Sequence, residues 1–289
     1  MPAPLSSPRA VRLLLALALA VLTAAFWPGS VRSQEPEFFD VPWAHNQWTF
    51  GTPLDMSHLR YCVDPRDPDW EVAAAIADTI ARGLLLAPQR YVVETDVAVT
   101  EDITRIYAIM LQHCDLHMGF KLIPEGYESW ISLTRAYYQS QYVFVAADRS
   151  ITALGDVPRT RPIGVTIGTS AHLGLLSYLR THPDAQRWPI FPMGNDDLAL
   201  EALLNGTVDV ALVWAPTLWA RQRAEPAYAA LEAISPNPVQ PVGFGVGALM
   251  LAGQSFLRSA VDEAIAALIA DGTIGEILEY YGFPATARP

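Results

Sequence analysis

Lysine is almost missing from this sequence of 289 residues: Lys121 stands alone among 19 basic residues. Cysteine is nearly as scarce, with Cys62 and Cys114 the only two. No C-x-x-C-H run is present, which excludes covalent haem attachment, and no glycine-rich phosphate loop follows a candidate strand. His45, His58, His113, His117, His172 and His182 are scattered, and none is spaced as a metal pair. No Ser/His/Asp or Cys/His arrangement suggests a nucleophile. Enzymatic activity, a bound cofactor and a metal are therefore not expected. Long apolar runs are also lacking: Leu13–Phe26 has the length of a signal-peptide core and is too short to span a bilayer.

What is present is apolar substance with a negative balance. Apolar residues make up 51% of the chain and charged residues 17%, enough for a sizeable core and against disorder. The formal charge is −11. Arg9 and Arg12 precede the apolar run, and Val31 and Ser33 supply small residues three apart, so residues 1–33 read as a signal peptide cleaved after about Ser33. The alternative is an uncleaved anchor. Without that segment, which holds three arginines and no acid, 16 basic and 30 acidic residues remain, a charge near −14. Such a charge disfavours nucleic acid and anionic membranes. The expected location is the periplasm. Residues 34–56 form an arm carrying Phe38, Phe39, Trp43, Trp48 and Phe50, either packed on the body or used to dock a partner.

From there the pattern alternates. Leu59–Val63 is an apolar strand. Trp70–Leu86 has helical periodicity, with Asp69 as its cap. Tyr91–Val93 is β-rich, Ile103–Leu111 is a helix capped by Thr100, and Leu116–Gly119 is the next strand. This is the β-α-β-α-β order of a parallel sheet covered by helices. A crossing strand follows at about 142–147. The order then restarts: strand Ile163–Ile167, helix His172–Arg180, strand Trp188–Met193, helix to Leu204 capped by Asp196, strand Val208–Val213, and a helix from Pro216. Residues 241–251 give a second crossing strand. Ser255–Ala270 is a helix with Phe256, Val261, Ile265 and Leu268 inward, and Ile274–Tyr281 is the last helix. Ligands in such sheets sit beyond the carboxyl ends of the strands.

Several phrases in order carry a resemblance: Leu59–Asp64, CDLHMG from Cys114, TRAYYQSQYVFVA from Thr134, IGVTIGTSA from Ile163, ALEALLNGTVDVALVWAP to Pro216, and IAALIADGTIGEILEYYGFP to Pro284. Over about residues 57–284 the chain resembles the family 3 periplasmic solute-binding proteins of ABC importers. Within that family it is similar to the J proteins of methanol oxidation systems, accessories of quinoprotein dehydrogenases. The resemblance implies an α/β, two-lobed, type II periplasmic binding protein fold, with lobe 1 from 57–143 and 248–289 and lobe 2 from 148–240. It also implies a quinoprotein alcohol dehydrogenase or its cytochrome c as partner. The alternative role is the solute-binding component of an importer. Amino-acid-binding members carry an Arg where Gly126 or Tyr127 falls here, and an Asp where Trp214 stands. A cleft without both charges cannot hold a zwitterion by charge-assisted hydrogen bonds, so any importer ligand is expected to be something other than an amino acid.

Candidate cleft residues follow. Tyr127, Trp130, Tyr137, Tyr138 and Trp214 are either stacking walls for a ligand or partner, or filling for an abandoned site. Gly168, Thr169 and Ser170 open a helix and are either an anion site or an ordinary cap. Asp64, Asp67, Asp69 and Glu71 crowd one turn; a solvated helix cap is favoured over a cation site. Cys62 and Cys114 form an even count, which in an oxidising compartment suggests a disulfide. A straight parallel register, however, leaves them several ångströms apart.

Overall fold

The computed structural model describes residues 57–94, 103–123, 127–239 and 243–287. The signal-like segment, the aromatic arm, Thr100 and Gly126 lie outside the described residues.

Ten strands form one mixed sheet in the described part of the chain, flanked by seven α-helices. β1 (His58–Val63), β2 (Ala87–Val92) and β3 (Leu116–Lys121) run parallel, β1 lying between the other two. α1 (Trp70–Gly83) and α2 (Ile103–Gln112) connect them. α1 packs because Val72, Ala73, Ile76, Ala77 and Ile80 recur on one face and are all buried. A short β4 (Ile131–Leu133) leads to β5 (Tyr138–Ala146).

The second series holds β6 (Ile163–Thr166), α3 (Ser170–Arg180), β7 (Ile190–Met193), α4 (Asp196–Leu204), β8 (Val210–Trp214) and α5 (Ala215–Ala224). β6 pairs in parallel with β7 and β8. A short β9 (Glu232–Ile234) pairs with β5. β10 (Gly243–Leu251) returns, and α6 (Ser255–Ala270) and α7 (Thr273–Tyr281) close the chain.

The two series meet along β5 and β10. The path through the sheet is β2-β1-β3-β10-β5-β8-β6-β7. β5 changes partner in mid-strand: Gln141 faces Gly243 of β10, whereas Tyr142 faces Trp214 of β8. The glycines of β10 permit this close passage, since a Cβ on Gly245 would stand 2.8 Å from the Cβ of Ala136.

Four sequence expectations need correction. Asp69 occupies the cap position of α1, but its side chain makes no cap hydrogen bond and is used elsewhere. The cap of α4 is Asn195, whose side chain accepts from the Leu198 amide, rather than Asp196. Phe256 is exposed, because the inward stripe of α6 runs through Leu257, Val261 and Ile265 at four-residue steps. Trp188 precedes β7; its ring is buried and its indole N–H donates to the Val157 carbonyl.

Cys62 and Cys114 are joined, with Cα atoms 5.6 Å apart. In the β1–β3 ladder Cys62 faces His117, so a straight strand would carry Cys114 away. Cys114 instead lies in the turn that leaves α2, where the chain doubles back toward β1. Val93, Met110 and Leu249 pack around the bridge.

Candidate functional site

The point where β5 changes partner organises the site. Tyr142 and Trp214 are paired in register and both buried, with ring centroids 5.0 Å apart at a steep angle. Phe244 of β10 backs them, 6.1 Å from Tyr142 and 6.4 Å from Trp214. Contacts at this range and tilt place the positive edge of one ring near the negative face of another.

Lys121 ends β3 and reaches across this floor. Its Nζ lies 4.2 Å from the centroid of the Trp214 ring and donates to the Tyr142 hydroxyl at 3.0 Å. The same nitrogen is 4.9 Å from the Tyr142 centroid. Together the two Tyr142 distances put it off the rim, beside the hydroxyl, rather than over the face. The cation–π contact therefore belongs to Trp214, and contacts of this kind contribute roughly 0.5–2 kcal/mol depending on desolvation. The Lys121 backbone carbonyl also accepts from the Tyr127 hydroxyl.

Asp69 is buried and accepts from the Tyr138 hydroxyl at 2.6 Å. Burial pushes the Asp69 carboxyl above its ordinary pKa, and the Tyr138 hydrogen bond and the charge of Lys121 offset part of that rise. Burial, with the charge of Asp69, drives the Tyr138 hydroxyl well above the ordinary tyrosine value, so it remains a donor. Tyr137 is fully buried, and its hydroxyl accepts from the Gly119 amide at 2.9 Å.

The other carboxylates near the strand ends are engaged. Asp64 pairs with Arg66 at 2.6 Å. Burial alone would raise Asp64, but the Arg66 hydrogen bonds outweigh it and hold the group below the usual carboxylate range. Asp196 accepts from the Thr166 hydroxyl and from the Trp214 amide, the latter at 2.9 Å, which fixes the end of β8. Among the described residues no three His, Cys, Asp or Glu side chains are grouped as a metal site would need.

The residues singled out from sequence therefore divide. Tyr138 and Trp214 join the floor through Asp69 and Lys121, and Tyr137 lies in the core next to Tyr138, 5.2 Å between centroids. Tyr127 braces Lys121 from behind. Trp130 packs on Tyr107 of α2, in the cluster around the disulfide, and takes no part in the floor. Asp64 sits at the end of β1 in its ion pair. Gly168 adopts φ +78°, Thr169 caps α3 by accepting from the His172 amide at 3.1 Å, and Ser170 is the first helical residue. Lys121, Tyr142, Phe244 and Asp196 were not singled out as cleft residues. The available signal for Lys121 was its solitary occurrence at the carboxyl end of a strand.

No protein-family model matches the sequence, and no curated protein matches it. Solved structures do match. The second substrate-binding domain of GlnP from Lactococcus lactis, in an open conformation, superposes with a TM-score of 0.57 at 17% identity, over 80% of this chain and 97% of that one. The GluR0 ligand-binding core in complex with L-glutamate gives 0.55 at 14% identity, over 78% and 97%. The substrate-binding protein of an amino acid ABC transporter gives 0.52 at 17%, over 77% and 98%. The fold is that of the two-lobed periplasmic binding proteins. Lys121 and its aromatic partners lie where β5 passes from β10 to β8. No helix among the described residues is long and apolar enough to cross a membrane.

Proposed function

We propose that this chain is a periplasmic, non-enzymatic binding-protein body that works by contact with another protein. Its lobes are 57–143 with 248–289, and 148–240. The partner implied by the sequence resemblance is a quinoprotein alcohol dehydrogenase or its cytochrome c, assisted in maturation or assembly. The observation that supports this reading is the filled cleft floor, where Trp214, Tyr142 and Phe244 meet with Lys121 laid across them. Trp214 stands where amino-acid-binding members carry a carboxylate for the ligand ammonium. A zwitterion placed there would lose its water without opposite charges to replace it, at a cost of several kcal/mol.

The structural neighbours, which include a substrate-binding protein of an amino acid ABC transporter, favour a second reading. In it the chain is the solute-binding component of an importer for a small ligand that is not an amino acid.

Two measurements separate these readings. Under the first, the tagged full chain co-purifies with quinoprotein dehydrogenase from its native periplasm, and deleting its gene lowers the assembled dehydrogenase. Under the second, a panel of small solutes raises the melting temperature of the wild-type protein in proportion to RT ln(1 + [L]/Kd). A clear solute response that rises with the logarithm of concentration, without dehydrogenase recovery, would overturn the first reading.

A further inference from the structure

Three groups near the Lys121 ammonium suit a cation. The Trp214 ring offers its face at 4.2 Å, the Tyr142 hydroxyl accepts at 3.0 Å, and the charge of Lys121 acts on buried Asp69. These partners are held independently of Lys121. The Trp214 backbone is fixed by Asp196, and the Tyr142 carbonyl accepts from the Asn237 side chain at 2.8 Å. Phe244 backs both rings. The backbones that carry the ring and the hydroxyl are thus held without Lys121, which lowers the reorganisation cost of binding an ammonium there. A compact ammonium also suits this place, whereas a planar guanidinium with its fork of donors does not match one hydroxyl and one ring. Every other basic residue of the chain is arginine.

We propose that the floor of the cleft is a binding site for a primary alkylammonium ion, and that Lys121 occupies this site from within the chain. The lysine acts as a tethered ligand. It joins the end of β3 to the end of β8 across the strand crossing and excludes an external amine while it is in place. The inference rests on the filled floor described above, but not on the identity of any partner. Dehydrogenase recovery and amine binding are separate assays, so either idea can fail alone.

The test removes the tether and supplies its head. Lys121→Ala deletes three methylenes and the ammonium, the shape of n-propylammonium. The variant is expected to melt below the wild type. n-Propylammonium chloride at millimolar concentration is expected to raise its melting temperature with the logarithm of concentration, with a saturable change in tryptophan fluorescence. n-Propanol, propionate and matched sodium chloride should not restore it, the wild type should not respond, and adding Trp214→Leu should abolish the rescue. Equal rescue by propanol would mean a simple cavity and would overturn the proposal, as would an absent rescue or an equal response of the wild type. Should Lys121→Ala fail to fold, the wild type itself gives the answer, because it has one lysine. Brief acylation of the native protein followed by mass spectrometry is expected to spare Lys121, and Trp214→Leu to expose it. Acylation of native Lys121 at the unfolded rate would overturn the assignment.

Discussion

Tyr138→Phe removes one oxygen and leaves the ring in place between Tyr137 and Phe283, each with its centroid 5.2 Å away. What is lost is the 2.6 Å hydrogen bond to buried Asp69. A hydrogen bond to a charged group contributes about 1.5–3 kcal/mol, a neutral one about 1 kcal/mol. The pH dependence follows from Asp69. Burial raises its pKa in the folded state, so the folded protein keeps this proton to higher pH than the unfolded chain does. Its contribution to stability therefore falls as pH climbs from the ordinary carboxylate value of about 4 toward the folded value. Losing the Tyr138 donor raises the folded value further and deepens that fall. Well below the unfolded pKa of about 4 the carboxyl is protonated in both states, and the substitution should cost about 1 kcal/mol. As pH rises through the folded value, the cost should grow toward the roughly 1.5–3 kcal/mol of a hydrogen bond to a charged group. Urea unfolding followed by tryptophan fluorescence, across this pH range, measures it. Asp69→Asn keeps an acceptor and should remove the pH-dependent part. A cost that is flat with pH, or unchanged in the Asp69→Asn background, would refute the reasoning.

Three further outcomes are expected. Reducing the Cys62–Cys114 bridge frees a loop spanning 52 residues and should cost about 4 kcal/mol in the chain-entropy model; an unchanged melting temperature in reductant would contradict this. His117 is buried, and burial holds its pKa below the ordinary value. Its stabilising contribution is therefore complete above about pH 6.5 and is lost as pH falls from there toward the folded value, so His117→Gln should flatten the stability profile as pH falls below about 6.5. Gly245→Ala pushes a methyl group against Ala136 and should cost about 1–3 kcal/mol; a neutral result in denaturant melts would mean the crossing strands are loosely packed.

The elements that could be read from sequence are those whose cause is local. The span of α6, Ser255–Ala270, follows from its apolar period and from the glycine just beyond its end, at φ +90°. Thr169 caps α3 because its side chain and the His172 amide are three residues apart. β4 and β9 escaped notice because three residues carry no period; they exist only because β10 and β5 offer them an edge. Asp69 looked like a cap because a carboxylate before a helix commonly is one, yet its partner Tyr138 lies 69 residues further on. Trp130 and Trp214 look alike in sequence as aromatic loop residues, but one packs under α2 and the other ends β8 at the crossing.

By itself, the order of apolar runs, turns and caps determined an alternating α/β chain with two crossing strands, because hydrophobic period and turn chemistry act over a few residues. Only the tertiary structure decided that Lys121, Tyr142, Trp214 and Asp69 share one place, and that Cys114 folds back to Cys62. Those contacts join segments dozens of residues apart, and the relative placement of such segments depends on how whole sheets and helices pack rather than on any local pattern.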